Sequence, residues 1–168
     1  IPTVLTIGKI IGDGATNIIP DEVYMEGTFR TMDENWRKKA LGLIPKIAEG
    51  IVEPTHTHCD ASIVKGYPVL INHESMTRKC MEYSGQLLGE NLIEFLDIRM
   101  TAEDFAYYTE KIPGVFYRLG VGNKSRGIEN ALHSSTFNID ENALKTGMAN
   151  LAWLAISFLN ERGSRKSR

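Results

Sequence analysis

Several things this sequence lacks set the bounds of its reading. Only two cysteines, Cys59 and Cys80, occur in 168 residues, in segments of different type, so no disulfide framework is expected. No run of eighteen apolar residues exists, which excludes a helical membrane span at the level of sequence. Lys and Arg number 19 against 21 Asp and Glu, a formal net charge of −2, with no basic patch of the kind nucleic acid requires. The G-x-S-x-G elbow, the P-loop, the G-x-G-x-x-G fingerprint and paired C-x-x-C motifs are all missing. The chain opens IPTVLTIGKI, without an initiator methionine and already inside a strand-like run, which suggests a piece of a longer protein. Absent targeting signals make a cytoplasmic location the expectation. No internal repeat is evident.

What is present is ordinary for a globular chain: 42% hydrophobic and 24% charged residues, enough for a real core. Residues 2–12 are rich in β-branched side chains and read as a strand, and 22–30 alternate as a second one, with a Gly/Asn/Pro-containing loop between them. Asp33 is placed to cap a helix over 34–49, although Pro45 should kink or shorten it. THTHCDASIV (55–64) alternates and reads as a further strand. Asn72 is placed to cap a helix over 73–88 that Gly89 stops. LIEFLDI (92–98) and VFYRLGVG (115–122) read as buried strands, with a helix over 102–111 between them, opened by a Thr101/Asp104 capping box. Asp140 caps a final helix whose inward stripe is expected to be Leu144, Met148, Leu151, Ala155, Phe158 and Leu159. The tail 163–168 is basic, lacks apolar residues and is expected to be disordered.

Chemistry-bearing residues are few. His133 sits between an apolar run and the last helix; its imidazole suits a divalent metal, or equally a hydrogen bond within a loop, and one histidine cannot make a metal site. His56, His58 and Asp60 form an H-x-H-x-D pattern on one face of the expected strand, which fits a metal site or a polar outer face. His73, beside Glu74, reads as surface. Arg30 ends a strand after Gly27 and Thr28, where a guanidinium can hold a carboxylate through two parallel hydrogen bonds or simply face water. Asn17 lies in a glycine-rich turn, where it can adopt a left-handed conformation or donate to a developing oxyanion. Glu103 and Asp104 could act as acid and base, but a helix's first turn already favours carboxylates.

Taken together, GATNIIP (14–20), GTFR (27–30), TAEDFAYY (101–108), IPGVFYRLG (112–120) and ALHSSTFNID (131–140), in that order, closely resemble the metal-dependent amidohydrolases of the aminoacylase/carboxypeptidase family. The subgroup containing hippurate hydrolase, indole-acetyl-amino-acid hydrolases and N-acyl-amino-acid amidohydrolases is the most similar, and the resemblance runs from Thr3 to Asn160. It implies an α/β catalytic domain with an inserted α+β lid, a two-layer sandwich that makes a homodimer. Residues 1–66 would be the later part of the lid, 67–162 the C-terminal part of the catalytic domain, both incomplete. It further implies two divalent metal ions, zinc or manganese, with His133 as a ligand, Asn17 meeting the scissile carbonyl or its oxyanion, within its own subunit or across a dimer, and Arg30 binding the substrate carboxylate. The substrate implied is an N-acyl amino acid or small peptide, cleaved by metal-activated water that a glutamate deprotonates. That glutamate and the other metal ligands belong to an N-terminal half missing from this sequence, so the chain alone is expected to be inactive. The alternative is a non-catalytic dimerisation or interaction module, or a degenerate remnant of the family.

Overall fold

The computed structural model describes residues 1–166, with side chains through Glu161. The chain is mixed α/β, with one two-stranded sheet and four helices: β1 (Thr3–Ile11), β2 (Tyr24–Thr31), α1 (Glu34–Val52), α2 (Glu74–Leu88), α3 (Ala106–Thr109) and α4 (Asn142–Lys166). Short 3-10 turns follow α1 and α2 and occupy Lys124–Arg126. Two compact units emerge among the described residues: residues 1–70 with 98–107, and residues 71–97 with 108–166. The division at 70/71 falls four residues beyond the boundary expected from sequence, and the first unit takes back a segment from later in the chain.

In the first unit β1 and β2 pair antiparallel, from Thr3 opposite Thr31 to Ile7 opposite Gly27, then from Lys9 opposite Glu26. Gly8 is therefore an extra residue on β1, a bulge that adds local twist. Gly27 faces it under tight constraint, since a Cβ there would meet the Thr6 carbonyl oxygen at 2.4 Å. Asp33 caps α1, accepting from the Trp36 N–H at 2.6 Å, as its position predicts. The helix does not stop at Pro45 but continues to Val52, leaving the Leu41 carbonyl without its helical donor. Trp36 Nε1 donates to Thr3 Oγ1 at 2.9 Å, tying α1 to β1.

Arg37, buried, and Glu34 form a clasp over the end of this unit. The Arg37 guanidinium bonds Glu34 Oε2 and donates to the Tyr67 carbonyl at 2.6 Å, while Glu34 Oε1 accepts from the Val69 N–H at 2.8 Å. The segment 98–107 joins the unit through Ala106, fully buried, and through Tyr107, whose ring meets Tyr67 edge-on at 5.9 Å. The strand expected over 55–64 does not form. That run is irregular, His56 turns it into the left-handed region at φ 58°, and Val64 is exposed. Alternation is compatible with a strand, but a strand exists only where a ladder partner is available.

In the second unit α2 packs against α4. His73, not Asn72, caps α2, its Nδ1 accepting from the Met76 N–H at 3.5 Å. Asn72 instead pairs with the main chain of Phe116 in both directions, donating to its carbonyl and accepting from its N–H, each at 2.8 Å. Gly89, at φ 100°, ends α2. Lys79 and Tyr83 both donate to Glu161 of α4, Trp153 Nε1 donates to the Tyr83 carbonyl at 2.9 Å, and the Tyr83 and Phe158 rings meet edge-on at 5.5 Å. The expected strands over 92–98 and 115–122 are irregular, with Phe95 and Ile98 exposed, and the helix expected over 102–111 shrinks to the single turn of α3. A buried parallel strand needs neighbours on both edges, and none is present among the described residues.

The last helix is also turned relative to expectation. It buries Leu154 and Asn150 and presses Gly147 onto Leu119, where a Cβ would lie 2.7 Å from the Leu119 methyl. Of the expected stripe, Phe158 is half-buried against Tyr83 as anticipated, whereas Leu144, Met148, Leu151 and Leu159 face outward, 51–67% exposed. Expected disorder over 163–168 meets a helix through Lys166; Ser167 and Arg168 lie outside the described residues. Among the described residues the buried apolar core is small: Ala40, Ala106 and Leu154. The chain exposes 13799 Å² for 18.8 kDa. Two separate compact bodies of half that mass would expose about 10,000 Å² together.

Candidate functional site

Asn17 lies at the tip of the loop joining β1 to β2. Ala15 and Ile18 exchange main-chain hydrogen bonds at 3.2 and 3.1 Å, leaving Thr16 and Asn17 as the two residues of a tight turn. Gly14 makes the turn possible, because a Cβ there would meet the Ile18 carbonyl at 2.6 Å. Asn17 is exposed, and its φ is not positive, so the left-handed alternative does not apply. Its side chain is exposed at the tip of the loop.

Arg30 lies near the end of β2, opposite Val4. It is exposed, and its Nη1 donates to the main-chain carbonyl of Met100 at 2.8 Å. A guanidinium has five N–H donors in a fixed fork, so the Nε/Nη2 edge is left for an anionic partner. The neighbouring Thr31 is buried, its hydroxyl bonded to the Pro2 carbonyl at 3.1 Å, which fixes the strand end that carries Arg30.

His133 belongs to the second unit. It is exposed in a turn closed by the Ser134 N–H on the Ala131 carbonyl at 3.3 Å, and Asn130 Nδ2 spans the loop to the Thr136 carbonyl at 2.9 Å. Its φ of 66° is left-handed, a region that non-glycine residues seldom occupy. Just beyond, Asp140 is a dense junction. It accepts from Asn123 Nδ2 at 2.5 Å, from the Asn142 N–H at 3.1 Å and from Arg126 Nη1 at 2.9 Å, and its own N–H donates to the Val121 carbonyl. These bonds, that from Asn123 foremost, hold its carboxyl below the usual aspartate range. Asp140 thus does what its capping position predicts and also locks the chain between the His133 loop and α4.

Asn17 and Arg30 therefore share one unit, and His133 lies in the other. The H-x-H-x-D pattern has no common strand face, because its segment is irregular and His56 is left-handed. Glu103 and Asp104 serve as main-chain turn formers: their carbonyls accept from the Ala106 and Tyr107 N–H groups. Among the described residues, no three His, Cys, Asp or Glu side chains converge to hold a metal ion. His133 alone does not fit one, since a site needs three or four ligands. The partner of Arg30 was not visible in the sequence; a main-chain carbonyl seventy residues away carries no residue-type signature. Among the described residues no helix is long and apolar enough to cross a membrane.

Comparison with known proteins bears on this arrangement. The family model for peptidase family M20/M25/M40 matches residues 6–156. The chain is 34% identical to thermostable carboxypeptidase 2 of Saccharolobus solfataricus, covering 95% of this chain and 40% of that protein. It is 32% identical to the IAA-amino acid hydrolase ILR1-like 4 of Arabidopsis thaliana, covering 94% and 37%. The crystal structure of the Bacillus subtilis YXEP protein, described as a dinuclear metal binding peptidase of the M20 family, superposes with a TM-score of 0.78 at 28% identity, over 94% of this chain and 42% of that one. The chain thus spans about two fifths of the length of the relatives it matches. It belongs to peptidase family M20/M25/M40.

Proposed function

We propose that these residues are the C-terminal part of a metal-dependent hydrolase that cleaves the amide bond of N-acyl amino acids or small peptides. The family match over residues 6–156 carries this reading, supported by relatives named as a carboxypeptidase and an amino acid hydrolase. Residues up to about 66 would be lid, and the rest, through 162, part of the catalytic domain. Arg30 would take the free carboxylate of the substrate on its Nε/Nη2 edge, which trades binding energy for orientation. Asn17, on its exposed turn, would donate its amide to the scissile carbonyl oxygen as negative charge develops there, either in its own subunit or across a lid-mediated homodimer. His133 would contribute one ligand to a pair of divalent ions, zinc or manganese, whose role is to supply activated water. The ligands that His133 needs beside it would come from polypeptide beyond the matched share of the relatives, so these residues by themselves are inactive on this reading.

The large exposed area gives a second reading some support: a non-catalytic module whose surface is covered by a partner or a second copy. The two are separated by measuring bound metal and hydrolysis of a panel of N-acyl amino acids, using the protein that carries the complementary residues of the family. Under the enzyme reading His133→Ala lowers metal content and nearly abolishes hydrolysis. Full metal occupancy with retained turnover in that variant would overturn it, and absence of both metal and hydrolysis before mutation would favour the module.

A further inference from the structure

The contact of Arg30 with Met100 points beyond substrate binding. The segment 98–107 belongs to the first unit although it comes from later in the chain, and it is fastened at both ends. At one end Ala106 is fully buried and the Tyr107 ring lies edge-on to Tyr67. At the other, Ile98 is exposed and the Arg30 Nη1 bond to the Met100 carbonyl, at 2.8 Å, is the hydrogen bond the structure supplies. Arg30 itself stands on β2, whose register with β1 is fixed by the ladder and by the buried Thr31 beside it. One guanidinium thus joins a rigid strand to the loose end of a returning segment.

We propose that Arg30 is a positioning residue as well as a ligand-binding one: it anchors the segment 98–107 to β2 through Met100, and a carboxylate bound on its remaining edge tightens that anchor. The physical reason is shared order. A free arginine loses several rotatable torsions when it binds either partner, and whichever partner binds first prepares the side chain for the other. The coupling is reciprocal, so a carboxylate that binds better because Met100 holds the guanidinium must in turn hold Met100 more firmly. The anchoring half stands on the observed bond alone; the carboxylate half rests on the reading of Arg30 given above.

Arg99 makes the anchor measurable, because tryptic cleavage between Arg99 and Met100 needs the main chain there extended in the protease cleft, which the bond from Arg30 to the Met100 carbonyl opposes. Limited tryptic digestion of the chain, followed by mass spectrometry, gives the rate at this bond relative to cleavage after Arg126 in the second unit. Arg30→Ala is expected to accelerate cleavage after Arg99 about tenfold, the effect of losing one charge-assisted hydrogen bond that limits local opening. Arg30→Lys keeps a cationic donor for the Met100 carbonyl and is expected to stay within about threefold of the parent. An unchanged rate in Arg30→Ala overturns the anchor, as does Arg30→Lys cleaving as fast as Arg30→Ala. If Arg30→Ala disrupts the hairpin itself, seen as new cleavage after Lys9, the lysine variant alone decides. N-acetylated amino acids should slow cleavage of the parent chain while their methyl esters do not. Anchoring without that ligand effect would defeat the carboxylate reading and leave the positioning role standing.

Discussion

His133 carries two properties that one pair of substitutions can pull apart. Its φ of 66° places a side-chain-bearing residue in the left-handed region, and the turn from Ala131 to Ser134 fixes it there. For an L-residue that conformation costs about 1–2 kcal/mol, and histidine sits toward the lower end because it visits the region more readily than most. Glycine pays none of this but surrenders about 0.4–1 kcal/mol through its freer unfolded chain. The balance predicts that His133→Gly stabilises the chain by about 0.5 kcal/mol, whereas His133→Ala keeps the strain and leaves stability near the parent's. For a chain of this length that gap corresponds to about 1–2 °C in Tm. Thermal and urea unfolding followed by circular dichroism would measure the order. If His133 ligates metal as proposed, both variants should lose metal equally, because both lack the imidazole. The reasoning is refuted if glycine proves no more stable than alanine, for the backbone would then not be strained at this residue. A glycine variant that is both stabilised and depleted of metal would show that the strain is retained for the ligand's sake.

Three further outcomes follow from the packing. Gly27→Ala forces a Cβ to within 2.4 Å of the Thr6 carbonyl oxygen, a backbone atom that cannot swing aside, so it should cost at least about 1–3 kcal/mol and shift the ladder, read by amide exchange across β1 and β2. Leu154→Ala should lower stability by about 2–3 kcal/mol, at the modest end for such truncations because so little apolar core surrounds it; urea unfolding would check this, and a loss below about 0.5 kcal/mol would mean α4 is not held through that face. Asp140 has a depressed carboxyl pKa in the folded chain, so its contribution is complete above the unfolded value near pH 4 and is lost as pH falls below it toward the folded value. Asp140→Asn keeps an acceptor for the Asn142 N–H and should flatten the stability profile below about pH 4 while leaving its shape at neutral pH unchanged, as measured by unfolding at a series of pH values.

The elements that proved legible in the sequence are those whose cause is local. Asp33 and Asp140 cap because a short carboxylate can reach an N–H two or three residues on, and the β1/β2 pair forms because its partners lie close along the chain. The motif order likewise predicted membership of the family, since a run such as ALHSSTFNID keeps its information in contiguous residues. What failed depends on distant partners. The runs 55–64, 92–98 and 115–122 have strand-like composition but no ladder to join. Asn72 could cap or pair, and only the arrival of Phe116 decided it. For α4 the sequence shows where the largest apolar residues fall but not which face meets α2; a small-residue face through Gly147, with Leu154 and Glu161, won because it admits the Leu119 methyl and the Lys79 and Tyr83 donors. The candidate residues could be named from contiguous motifs, whereas the bond by which Arg30 holds the Met100 carbonyl could not.

The outward stripe of α4 has a consequence for how a cell would handle these residues. Leu144, Met148, Leu151 and Leu159 form a greasy ribbon about four turns long that quality-control systems treat as a mark of unfinished assembly. Made without whatever covers that ribbon, the polypeptide becomes a client of chaperones and proteases. Its half-life in cells, compared between production alone and production beside a candidate cover, then reports assembly directly, with no substrate or metal needed.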